Sequence, residues 1–379
     1  MAASYGRPKK YLTFIVVGLL HIMIPSTINE ISTKWLNQVL PAEFGEIADF
    51  SWADIGEGVG ILGEVSRLHL TYAPNNIGPK TMVAKFQSQA PENILLCQTM
   101  GYYAREVNFY KKGRKKFPVH APECYFSEID IKGVPFSILI EEILNTTVMD
   151  QITGADVEKT ASVFSLLAKL HAHYWETDEL YELDWLPPMN NPMYKQSQDL
   201  AKNLFPNFKA TWSGKLDADI LDAVENFIPR YPDFLDWAVA QGNQTFTHND
   251  ARCENYLISP DGSITIIDFQ YCTRFWGAWD ISNWLSASLE IEDRRKNEVE
   301  LVNHYHQGLI SNGINDYTID ECWADIKASL MVQTYNQVID SDLDYANDRG
   351  KQLLDKCITR TFTAATDYEL ASFIEGIDF

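Results

Sequence analysis

An aspartate that can take a proton from a hydroxyl, followed at fixed spacing by two hard oxygen donors for a divalent cation, is the minimum kit for moving a phosphoryl group. The chain carries it as His248-Asn249-Asp250-Ala251-Arg252-Cys253-Glu254-Asn255, then, after a short apolar hairpin, Ile266-Ile267-Asp268-Phe269-Gln270. The first run fits H-x-D-x-x-x-x-N and the second is an apolar strand ending in D-F. Phosphoryl transfer asks little covalent chemistry of a protein; it asks that the nucleophile be positioned and the phosphate charge neutralised. Asp250 is therefore expected to be the catalytic base, and Asn255 and Asp268 to be magnesium ligands. His248 is expected to hold the loop, and an acidic surface loop with Asp268 capping a turn is the plain alternative.

Upstream, Gly58-Val59-Gly60-Ile61-Leu62-Gly63-Glu64-Val65 fits G-x-G-x-x-G-x-V. Its first six positions also fit a dinucleotide loop, but that loop opens a helix and is followed some 20 residues on by an acidic residue. Here a strand follows, and the later position is held by Lys85 in Val83-Ala84-Lys85. A glycine loop that opens a strand covers nucleotide phosphates, and the strand lysine behind it binds the α- and β-phosphates when a carboxylate orients it. Glu106, in Arg105-Glu106-Val107-Asn108-Phe109-Tyr110, is that carboxylate. Singly, Lys85 reads as a snorkelling strand lysine and Glu106 as a solvated helix residue; their order makes them a pair.

These groups need elements to hold them. Glu64–Tyr72 places Leu68, Leu70 and Tyr72 on one face, Thr81–Phe86 is a second β-rich run, and the turn-forming Ala73–Pro79 joins them as an antiparallel hairpin. One helix is expected to carry Met100, Tyr103, Val107 and Tyr110, and Pro135–Ile140 a buried strand. After Asn145 helical stripes dominate: Val163, Leu166, Leu167, Leu170 and Tyr174, then Val299, Val302, His306 and Leu309. Two short strands, Tyr256–Ile258 and Ser263–Ile267, interrupt them. The fold class is therefore α+β. A small antiparallel-sheet lobe with one key helix (26–144) precedes a larger, mainly helical lobe (145–379) that holds the catalytic loop and the acceptor.

The 379 residues suffice for two such units, and no internal repeat divides them otherwise. Lysine and arginine number 31 against 52 aspartates and glutamates, a net charge of −21 whose field repels phosphate backbones, so no nucleic-acid partner is expected. Six cysteines without a C-x-x-C pair read as reduced thiols in a cytoplasmic chain. Residues 1–25 are an extension. Tyr11–Pro25 is apolar behind Arg7, Lys9 and Lys10, like a secretory signal, yet it lacks a small-residue cleavage site and is short of the roughly 20 residues that span a bilayer. An export signal, a membrane-surface anchor and a true start at Met23 compete; the last is preferred, and membrane contact is expected only if the segment is retained.

Taken together, the glycine loop, Val83–Lys85, Arg105–Tyr110, Leu166–Ala172, His248–Asn255 and Ile267–Gln270 resemble the aminoglycoside phosphotransferase and choline-kinase-like superfamily, and within it the ecdysteroid-kinase-like family. The resemblance implies a bilobal protein-kinase-like fold with ATP between the lobes. It implies Gly58, Gly60, Gly63, Lys85 and Glu106 on the phosphates, Glu141 and Ile143 in a hinge whose backbone meets the adenine, Asp250 as base, and Asn255 and Asp268 on Mg2+. It also makes Asp280 a buried brace for the catalytic loop. Asn249 stands where the family usually has glycine, and Gln270 replaces the glycine of protein kinases.

The expected activity is ATP- and magnesium-dependent transfer to a hydroxyl of a small organic acceptor, sterol-like, amino-alcohol or aminoglycoside-type. The alternative is an inactive nucleotide-binding pseudokinase or scaffold. A protein substrate is not expected, because both A-P-E triplets (Ala90–Glu92, Ala121–Glu123) precede Asp268, and Asp268 leads through Phe275, Trp276 and Trp279 straight into an apolar helix. Those aromatics and Tyr271 are expected to be core, an aromatic wall near the metal site being the alternative, with the acceptor pocket drawn from Leu180–Trp237.

Overall fold

The computed structural model describes residues 22–55, 62–74, 76–342, 348–377 and 379. Gly58 and Gly60, and residues 1–21 of the extension, lie outside the described residues. Among the described residues the N-terminal part forms a five-stranded antiparallel sheet from β1 (Ile47–Asp54), β2 (Gly63–Tyr72), β3 (Thr81–Gln87), β4 (Cys124–Ile129) and β5 (Phe136–Glu141), in the order β1-β2-β3-β5-β4. Side chains alternate across a strand. In β3, Met82, Ala84 and Phe86 therefore turn to one face and are buried with Leu68, Leu70 and Leu139 under Trp35 and Leu36 of the helix Thr33–Val39. Val83 packs into the other core, with Ile138 and Ile140 of β5, and Lys85, on the same face as Val83, opposes Ile138 in the ladder. A slip of one residue would bury Lys85 under Trp35, so the apolar pattern of β3 also aims the lysine.

The single helix expected around Met100–Tyr110 is two. Pro91–Met100 starts on a proline and stops at Gly101, whose φ of +66° suits glycine at a helix end; Tyr102–Asn108 then begins and runs into a π-turn, Phe109–Gly113. Two other departures have clear causes. β1 is largely exposed along its length, so it shows no buried alternation to read, and β6 (Gln244–Thr247) is polar yet wholly buried. Val299 is exposed; the buried stripe of its helix, Ile291–Ser311, runs through Leu301, Val302, Tyr305, His306 and Leu309.

The remainder is mostly helical. Helix Val157–Tyr174 packs along Ile291–Ser311, and Ile319–Asp340 packs against Asp348–Asp367 and against the inserted helix Ser197–Trp212. Into this helical body are set two small two-stranded antiparallel sheets, β6 with β9 (Thr273–Trp276) and, between them in sequence, the hairpin of β7 (Tyr256–Ile258) with β8 (Ile264–Ile266). Phe275, Trp276 and Trp279 are fully buried core, and all six cysteines are free thiols. Among the described residues no helix is long and apolar enough to cross a membrane.

Candidate active site

The β7–β8 hairpin is nested between β6 and β9, so that residues 248–255 leave β6 and enter β7 while residues 267–272 leave β8 and enter β9. Asp280, fully buried in the first turn of Ala278–Asn283, ties down the first loop: its carboxylate accepts from the backbone N–H of His248 at 2.8 Å and of Asn249 at 2.9 Å. His171 stands 3.3 Å from the same carboxylate and 2.8 Å from the Tyr305 hydroxyl. Asn249 has φ +64°, the left-handed conformation that explains glycine at this position and that asparagine tolerates better than other side chains. Its amide donates to the Tyr271 carbonyl at 3.1 Å, so the substitution adds a tie between the two loops. His248 makes another: Nε2 lies 2.9 Å from the Ile267 carbonyl and must carry the proton there, since a carbonyl only accepts.

Asp280→Ala strands two donors, one buried and one partly buried, at roughly 1–3 kcal/mol each and is expected to lower unfolding free energy by about 2–6 kcal/mol. Urea unfolding beside Asp280→Asn, which keeps one acceptor, measures this; a loss below about 1 kcal/mol would contradict the bracing role.

Residues far apart in sequence meet around Lys85. Its Nζ lies 2.7 Å from Glu106 Oε2 and 3.0 Å from Asp268 Oδ1. Burial disfavours the lysine charge, but Asp268 and Glu106 outweigh it and hold the ammonium well above the ordinary lysine value. Burial lifts the Glu106 carboxyl despite Lys85, whereas Asp268, though buried, is held low by Lys85 and Arg252. Asp268 has φ +67°, and Phe269 stacks on Phe109 with ring centroids 3.5 Å apart. Phe109 follows Glu106 by three positions, so this stack sets the spacing between the two carboxylates that grip Lys85. Gly63, the described glycine of the loop, has a reason of its own: a Cβ there would meet the Phe86 carbonyl oxygen at 2.7 Å.

On the other side of the loop, the Asn255 side-chain N–H2 donates to Asp250 O at 2.9 Å and Asp250 Oδ2 at 3.0 Å. Both partners only accept, so the nitrogen must face them, and the amide oxygen is left without a hydrogen bond among the described residues. Glu141 ends β5, and its carboxylate accepts from the Glu123 N–H at 3.2 Å; the adjoining Glu142 accepts from Arg67 at 2.6 Å, and Ile143 follows in the linker. Two groups went unread in the sequence. Arg252 Nε sits 3.4 Å from Asp250 Oδ2. Asp340, at the C-terminal end of its helix, feels both Asp250 and Arg252; burial first, then the Asp250 charge, pushes its carboxyl up to about 7. Arg252 lies inside the motif and was there to be noticed, but nothing in the sequence links Asp340 to it.

Asp325, partly buried and accepting from the Tyr317 hydroxyl, is likewise pushed up to about 7, mainly by loss of solvent. A carboxyl whose folded-state pKa is raised binds its proton more tightly folded than unfolded, so the stability it contributes is present below the unfolded value near 3.8 and is lost as pH rises through about 7. Urea midpoints are expected to fall across that window, and to fall less steeply in Asp325→Asn and Asp340→Asn; an unchanged slope in both would refute the assignment.

A profile of the ecdysteroid kinase-like family matches residues 57–313. No curated protein sequence matches significantly. Among solved structures, an ethanolamine kinase of Plasmodium vivax superposes with a TM-score of 0.55 at 12% identity, over 91% of this chain and 89% of that one. A proposed aminoglycoside phosphotransferase of Ralstonia eutropha gives 0.51 at 14% identity, over 90% and 97%. At such identities both likenesses are of fold.

Proposed function

The chain belongs to the ecdysteroid kinase-like family, and from that premise we propose that it transfers the γ-phosphoryl group of ATP to a hydroxyl of a small organic acceptor. The observation that carries the reading is the Lys85 ammonium held between Glu106 and Asp268, on the sheet face opposite the Trp35 core. That cation stands ready for the nucleotide phosphates, and the missing Cβ of Gly63 lets the start of β2 lie close against the Phe86 carbonyl of β3. Glu141 and Ile143 border the linker between the lobes, where their backbone would meet the adenine. Asp250, oriented by the Asn255 amide and near Arg252, accepts the acceptor's hydroxyl proton as the oxygen attacks the phosphorus in line.

Magnesium fits the donors present: the Asp268 carboxylate and the free Asn255 amide oxygen are hard oxygen ligands, and this cation needs only one or two protein ligands beside phosphates and water. Bound there, it would neutralise phosphate charge. The reading goes with a cytoplasmic location, where ATP is abundant.

Calorimetric titration with ATP, with and without magnesium, followed by an acceptor panel read by ADP release, tests it. Magnesium-dependent binding and ADP formation with small alcohols, amino alcohols or sterols are expected. Absence of nucleotide binding would reject the kinase reading, and ADP formed only with protein acceptors would reject the acceptor class.

A further inference from the structure

We propose a second ligand site, for a small organic anion, on the opposite side of the Glu106 helix from Lys85. A cavity of about 380 Å3 lies between that helix and the segment Tyr181–Met193, lined among others by Arg105, Trp185, Met193 and Arg274. Arg105 is 3% exposed, and among the described residues its guanidinium has neutral partners: Nη2 donates to the Met100 carbonyl at 2.7 Å, and the group lies over the Tyr102 and Tyr194 rings. Arg274 lies over the Tyr181 ring, 4.7 Å from its centroid. Among the described residues neither arginine forms an ion pair, whereas Arg67, Arg114, Arg294, Arg295 and Arg360 each pair with a carboxylate.

In a chain with 52 acidic residues, two neighbouring arginines without a counter-charge are conspicuous. A buried charge left unpaired is costly, and a buried N–H left unmade costs its desolvation. Three such donors belong to residues lining this cavity: Arg105 Nη1, Arg274 Nε and Trp185 Nε1 are all buried without a hydrogen-bond partner. Asp184, the carboxylate in the lining, is already engaged by Lys112 at 3.1 Å. Guanidinium groups match carboxylate, phosphate and sulfate oxygens, so the charged end of the ligand is one of these. Met100, Met193, Leu186 and Pro187 complete the wall and ask for an apolar body behind that charge.

The test uses the full chain without nucleotide and three probes, benzoate, phenyl phosphate and benzenesulfonate, with benzyl alcohol as the neutral control, followed by calorimetry and thermal shift. At least one anion is expected to bind saturably at one site while benzyl alcohol does not. Arg274→Met is expected to weaken that binding at least about tenfold, the loss of one charge-assisted hydrogen bond. Arg105→Met should do the same, and if it does not fold, the half-buried Arg274 carries the test alone. Binding is expected to persist with ATP and magnesium present. The proposal is overturned by no saturable anion binding, by undiminished binding in Arg274→Met, or by displacement by ATP, which would put the anion in the phosphate cleft. None of these readouts depends on phosphoryl transfer.

Discussion

Asp250→Asn is expected to cut phosphoryl transfer by about 10²–10⁴-fold, the range for a positioned general base, while ATP affinity stays within about twofold. The shape of the side chain survives, because an amide oxygen can still accept from Asn255 Nδ2, and the backbone carbonyl at 2.9 Å continues to anchor the same amide. What disappears is the capacity to take a proton and the charge facing Arg252 Nε at 3.4 Å. Single-turnover rates with a productive acceptor, set beside calorimetric ATP titration, separate the two losses. Transfer retained within tenfold of the native protein removes Asp250 from the base role; loss of ATP binding in parallel would make it a structural residue of the loop.

Lys85→Met is expected to have the larger effect on the fold. It leaves Glu106, 2% exposed, and Asp268 facing one another without the cation that lies 2.7 and 3.0 Å from them. Removing one partner of a buried ion pair costs about 3–5 kcal/mol when the other stays charged. Glu106 has an escape: burial already raises its pKa, and without Lys85 it takes up a proton. The raised folded-state pKa means that the loss is smallest at low pH and grows as pH rises past the ordinary carboxylate range. Urea unfolding of native and Lys85→Met protein at pH 5 and pH 8 measures this, with the gap wider at pH 8. A pH-independent gap would mean that Glu106 is not the residue left uncompensated. Nucleotide binding should weaken in the same variant, since the proposed phosphate-binding cation is gone.

Both variants touch residues that could be named from the sequence, and the reason is chemical. Metal ligands, a base and a phosphate-binding lysine can be drawn from few residue types, and loop geometry confines Asp250 and Asn255 to one spacing, so His248–Asn255 and Asp268 stand out without coordinates. The alternation of Met82, Ala84 and Phe86 likewise announces a half-buried strand and the face on which Lys85 lies. Even the departure at Asn249 was visible, as a residue type out of place; its meaning, φ +64° with a side-chain bond to the Tyr271 carbonyl, was not.

Residue types and their order along the chain say which side chains are chemically equipped. The tertiary structure decided which of them meet. Lys85 and Asp268 are 183 positions apart, and the Phe109–Phe269 stack that spaces them from Glu106 joins two unrelated segments. The helix break at Gly101, the exposed β1 and the buried polar β6 also escaped the pattern, because burial there is imposed by neighbouring elements rather than by local periodicity. Arg105 and Arg274 are the plainest case. In sequence they are ordinary arginines of an acidic chain, and only packing shows that no carboxylate among the described residues pairs with them, because a charge's environment belongs to the fold and not to the residue.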